Sequence, residues 1–160
     1  MRFRWLTAVA VAILGIVGTV LVAGASGQGS GDPGSILAVM TGAKEVGPGG
    51  QKNAGDPRGR GSFAAVIDGR QICWAIVVKD LGSKPVAAHI HQGGATAQGA
   101  VVIPLKQPKK GDPGTSSGCT RASASLLRSI GRKPGSFYVN VHTTDFPNGA
   151  VRGQLIGKRK

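Results

Sequence analysis

Histidine is scarce in this chain: three residues among 160, two of them in "AAHIHQGG" (87–94) and the third in "YVNVHT" (138–143). Imidazole changes charge near neutral pH and serves as a nitrogen ligand for both zinc and copper. The spacing of His89 and His91 puts both on one face of a strand and leaves Ala88 and Ile90 on the other. In "FYVNVH" the same alternation separates Tyr138, Asn140 and His142 from Phe137, Val139 and Val141. The apolar sets belong to a core, so His89, His91 and His142, with Asn140 beside them, are expected on the non-core side. If the two strands are neighbours, facing Cβ atoms lie ~5 Å apart and the imidazoles converge.

Three chemistries compete for these residues. A copper or zinc site at His89, His91 and His142 is one. Bracing is the second: the histidines hydrogen-bond across the sheet and steady the "HQGG" and "TTDFPNG" loops, with Thr143, Thr144 and Asp145 as polar partners. The third is a Ser-His-acid arrangement of Ser123 or Ser125 with His142 and Asp145. No nucleophile elbow surrounds either serine, so no enzyme is expected. Arg152 in "AVRGQL" lies on the opposite strand face from Val151. It is expected either to meet an anion or a partner beside the histidine face, or to pair with Asp145 or Asp68.

The elements that carry these residues read as all-β. Short apolar runs alternate with Gly, Pro and Asp punctuation: 35–42, 62–67, 70–81, 86–91, 99–105, 136–142 and 150–156 as strands, and 47–61 and 106–118 as loops. "DG" at 68–69 joins the second strand tightly to the third, which is apolar on both faces and therefore expected at the centre of a sheet. Ala122, Leu126, Leu127 and Ile130 recur at helical spacing before "KPG", which predicts one short helix. About seven short strands and one helix suit a Greek-key-like β-sandwich. Cys73 and Cys119 are the two cysteines, with no CxxC partner for metal work, and are expected to form a disulfide.

The N-terminus sets the compartment. Arg2 and Arg4 precede an uncharged apolar run, Leu6 to Val22, and "AGA" at 23–25, the order of parts in a secretory signal peptide. Residues 1–25 are thus expected to be a signal peptide, with an uncleaved signal anchor as the alternative and the only membrane attachment foreseen. Residues 26–34 read as a flexible leader, 35–157 as one folded domain, and 158–160 as a basic tail. Twenty Lys and Arg against seven acids give a formal charge of +13, or +11 once Arg2 and Arg4 are removed. Such a charge favours anionic cell-envelope polymers. Nucleic acid is not expected, because the basic residues are scattered and aromatics are too few to interleave with them.

Several segments together, "LAVMTGAKEVGP", "GSFAAVIDGRQICWAI", "AAHIHQGG" and "FYVNVHTTDFPNGAVRGQL", resemble the chordin-type (CHRD) domain family, in order from about residue 36 to residue 156. The resemblance implies a secreted β-sandwich-like domain of the small exported bacterial kind. The growth-factor binding of chordins is attributed to their other modules and does not carry over. The function expected is a non-catalytic binding or structural module at the cell surface, meeting envelope polymers or another surface protein. The alternative is a copper- or zinc-binding protein built on His89, His91 and His142. Sequencing the N-terminus of the exported protein is expected to read Ser26 first; recovery from the cytoplasm alone would refute export.

Overall fold

Alternation along each strand decides which side chains meet. In the computed structural model, which describes residues 34–157, β1 (Gly34–Thr41) turns Ile36, Ala38 and Met40 inward and leaves Leu37 and Val39 exposed. β2 (Arg60–Asp68) and β3 (Gln71–Lys79) follow the same rule, burying Phe63, Ala65, Ile72, Trp74, Ile76 and Val78. The remaining strands are β4 (Pro85–Gln92), β5 (Val101–Leu105), β6 (Gly114–Arg121), β7 (Phe137–Thr143), β8 (Val151–Gln154) and β9 (Ile156–Gly157). The expected signal peptide, most of the leader and the basic tail lie outside the described residues.

All pairings are antiparallel, in the order β5-β4-β7-β8-β1-β2-β3-β6, with β9 on β1. The all-β expectation with one short helix holds, but the described residues contain nine strands rather than about seven. They form one strongly curled sheet whose halves meet where β8 touches β1, at Thr41 opposite Arg152. Both halves send apolar side chains into a single core that includes Phe63, Ile76, Ile90, Val139 and Leu155. The connection after β5 leans on β6, through Ser116 Oγ to the Lys106 carbonyl and the Lys109 amide to the Thr115 carbonyl. The curl thereby comes close to shutting, which shields edge strands that would otherwise offer unpaired backbone.

Three local expectations are corrected. The β2–β3 turn is one residue later than "DG" suggests: Asp68 pairs with Gln71, and Gly69 heads the two-residue loop at φ 54°, a value glycine adopts without strain. Part of the supposed loop 106–118 is strand β6, which pairs with β3 from Gln71–Arg121 to Val78–Gly114. β3 is indeed central, but only one of its faces is covered, and Ala75 and Val77 look outward. The helix α1 (Ala124–Arg132) closes one end of the core with Leu127 and Ile130, and Ser123 Oγ accepts its cap bond from the Leu126 amide.

Cys73 and Cys119 are directly opposite on β3 and β6 and are bonded to each other, 46 residues apart in sequence. The bond fixes to the sheet a strand whose inward residues are only Gly114, Ser116, Gly118 and Thr120. Replacing both cysteines by alanine is expected to lower stability by about 3 to 4 kcal/mol, the loop-closure value for this separation. Denaturant titration of the oxidised protein and the variant measures the loss; equal midpoints would show that the strand holds without its crosslink.

Candidate metal centre on the polar face of the sheet

β7 is covered on both sides. Phe137, Val139 and Val141 join the core, while Tyr138 and Asn140 are buried on the other face, with His142 half-buried beside them. β4 supplies the neighbours on that face, with His89 opposite Asn140 and His91 opposite Tyr138, and β8 places Arg152 across from Asn140. The alternation read from sequence therefore brings His89, His91, His142 and Asn140 together. Ring centroids are 5.1 Å apart for His89–His142, 5.5 Å for His89–His91 and 6.4 Å for His91–His142.

The second ring nitrogens fix the tautomers. His91 Nδ1 lies 2.8 Å from the Gly99 carbonyl and His142 Nδ1 lies 2.9 Å from the Pro147 carbonyl. A carbonyl only accepts, so each Nδ1 carries the proton and each Nε2 is left as an acceptor. Gly99 reaches His91 because it has no side chain: a Cβ there would collide with the Gln92 carbonyl. The Gly99 amide in turn donates to the Tyr138 hydroxyl at 3.1 Å, and the Tyr138 ring stacks on His91 at 4.7 Å. His89 has no backbone partner; its Nδ1 donates to His142 Nε2 at 3.2 Å. His91 Nε2 is buried and makes no hydrogen bond.

One nitrogen from each histidine falls within 4.8 Å of the others. Nitrogens sharing an ion at bond lengths of 2.0 to 2.1 Å are at most ~4.2 Å apart, so a modest ring rotation closes the set. His89, the one ring not tied to a carbonyl, is placed to make it. Burial holds all three imidazoles below their ordinary value of 6.5, and neighbouring histidines push His89 and His142 further down against the carbonyls that pull His91 and His142 up. Neutral imidazole is the form that binds a metal.

The other anticipated residues divide. Arg152 is 1% exposed and pairs with neither Asp145 nor Asp68. Its Nη2 donates to the Gly94 and Ala97 carbonyls, its guanidinium sits 3.4 Å over the Tyr138 ring, and its nearest carboxylate is Glu45 at 3.9 Å. The correction has a simple cause: Asp145 and Asp68 are exposed, whereas the 3₁₀ turn after β1 (Gly42–Lys44) carries Glu45 under the sheet. Asp145 stays outside the cluster, its amide bonded to Ser83 Oγ. Ser123 and Ser125 bond each other at the start of α1, and both His142 nitrogens are engaged elsewhere, so no Ser-His-acid relay forms. Tyr138, Gly99 and Glu45 are the members that sequence reasoning missed. Tyr138 shared the right strand face; the others sit in loops whose paths periodicity does not trace.

The family model for the CHRD domain matches residues 36–155. No curated protein and no solved structure matches the chain.

In metal-free protein the histidine shifts make stability depend on pH. Their folded values lie below 6.5, so under acidification the unfolded chain takes up protons first. The stabilisation is complete above 6.5 and is lost as pH falls through the lowered values. Glu45 runs oppositely, since burial raises it above 4.5 and its share fades as pH climbs; Glu45→Gln removes that contribution. Thermal melts from pH ~7.5 to ~5 are expected to show falling midpoints, with a shallower fall in His89→Gln. Identical profiles would contradict a desolvated triad.

Proposed function

The chain belongs to the CHRD-domain family, and from that premise we propose that it is a secreted or cell-surface binding module whose ligand is a copper or zinc ion held by His89, His91 and His142. The observation that carries this reading is the direction of the lone pairs. If the histidines served only to brace loops, the Gly99 and Pro147 carbonyls would account for them. Those bonds are also what a metal site uses to orient imidazole: the outer N–H goes to a carbonyl and the inner nitrogen stays basic, open on His91 and on His142 answered only by the N–H of His89, which an ion would displace. His91 Nε2 is buried without a partner, a cost that an ion would remove.

The disulfide between Cys73 and Cys119 supports an oxidising, extracytoplasmic setting. Among the described residues no helix is long and apolar enough to cross a membrane. Attachment would then rest on the N-terminal segment or on the basic surface, through anionic envelope polymers or another surface protein. The module is non-catalytic in this reading. The stacked Tyr138 acts as a positioning group for His91.

Protein purified without a histidine tag from an export-competent host is expected to carry about one equivalent of copper or zinc by elemental analysis. Added metal at ~100 times its dissociation constant should stabilise the fold by about 2.7 kcal/mol, a rise in melting temperature on the order of 10 °C. His89→Ala should abolish both effects while costing the metal-free fold only ~1 kcal/mol, the value of one hydrogen bond. Metal content and melting temperature that do not respond to His89→Ala would overturn the proposal.

A further inference from the structure

Beside the triad, on the far side of Tyr138, a cavity of about 280 Å³ opens between the turns that follow β1 and the loop that follows β4. Arg152 and Glu45 line it, with Lys44 and Lys52 also on its wall. The Arg152 cation is buried, yet both of its hydrogen bonds go to neutral carbonyls, and Nη1 makes no hydrogen bond. Glu45 Oε1 is 3.9 Å from that nitrogen, beyond hydrogen-bond range, and Glu45 Oε2 is unpaired as well. At 3.9 Å the pair lacks the hydrogen bonds that make a buried ion pair favourable, so the charge is only partly compensated. Glu45 Oε1 instead accepts from the Val46 amide, and burial raises its carboxyl above its ordinary value.

We infer that this cavity is a second binding site, distinct from the metal centre, that takes a small carboxylate with an apolar body. Three cations, Lys44, Lys52 and Arg152, face one acid across it, so the site is positive whether Glu45 is ionised or not. Lys44 uses one of its three donors on the Val39 carbonyl at 2.8 Å and keeps the others for a ligand. Ala43, Val46 and Ala95 supply an apolar wall, which suits a hydrocarbon group better than a bare inorganic ion. The inference stands on the cavity and on a buried cation whose Nη1 makes no hydrogen bond, and needs no metal at the histidines.

The test uses the full exported chain, with benzoate and hexanoate as probes and benzyl alcohol, 1-hexanol and sodium chloride of equal ionic strength as controls. In amide-proton NMR titrations the carboxylates are expected to bind saturably and to shift the signals of Gly94, Ala97 and Val46 most. The alcohols and chloride should not. Both lysines are exposed, so Lys44→Gln/Lys52→Gln should fold normally, bind the carboxylates about tenfold more weakly or worse, and take up metal as the parent does. Absence of saturable shifts, equal shifts from the alcohols, or undiminished binding by the double variant would each overturn the site. Retained metal uptake in the double variant separates this outcome from failure of the triad.

Discussion

The structure turns on a strand that has no solvent side. β7 lies in the sheet with its apolar residues in the core and its polar ones under loops, and of its seven residues only His142 is more than marginally exposed. A covered polar face must find hydrogen bonds within the protein, since each unpaired group costs on the order of 1 to 3 kcal/mol. Backbone carbonyls provide most of them. Gly94 and Ala97 serve Arg152, Gly99 serves His91, Pro147 serves His142, and Gly93 and Gly135 serve Gln154. The Gly- and Pro-rich loops are thus the second wall of the sheet, shaped to bring acceptors to fixed places. Of the five buried side-chain atoms left unpaired among the described residues, four (His91 Nε2, Asn140 Oδ1, Arg152 Nη1 and Glu45 Oε2) belong to this one layer.

Strand alternation carries information about faces, and it made this site legible. His89, His91, Asn140 and His142 could be grouped because period 2 assigns a side without knowing what covers it. The coverage itself was not legible. Loop paths depend on tertiary contacts, such as Asp56 Oδ1 and Oδ2 accepting from the amides of Gly59 and Gly82, and leave no periodic trace. The same limit explains Arg152: its arrival on the right face was readable, while its partner Glu45 lies across a 3₁₀ turn more than a hundred residues earlier. β6 escaped for a different reason. "GTSSGCTR" has almost no apolar content, because its inward positions must be small where Trp74 packs against Gly118. Hydrophobic pattern cannot flag a strand that is recognised by what it lacks; Cys119, set directly opposite Cys73, was the one residue in it with a readable partner.

Tyr138 joins the two halves of the polar layer. Its ring is parallel to that of His91 within 5° and lies under the Arg152 guanidinium at 3.4 Å, while its hydroxyl accepts from the Gly99 amide. Imidazole, phenol and guanidinium therefore share one stack, and the electron-rich ring face favours the cation it touches. Gly99 is fixed at both of its polar groups by this stack, so the orientation of His91 and the seat of Arg152 depend on the same tyrosine.

The pairing of Ile36 with Gly157 and Leu37 with Ile156 lays the last described strand along the first. The two ends of the described domain consequently lie on neighbouring strands, ~5 Å apart across the pair and offset by two residues in register. A unit of this shape can be spliced into a longer polypeptide at a surface turn without prising its host apart, or strung in tandem like beads on a thread.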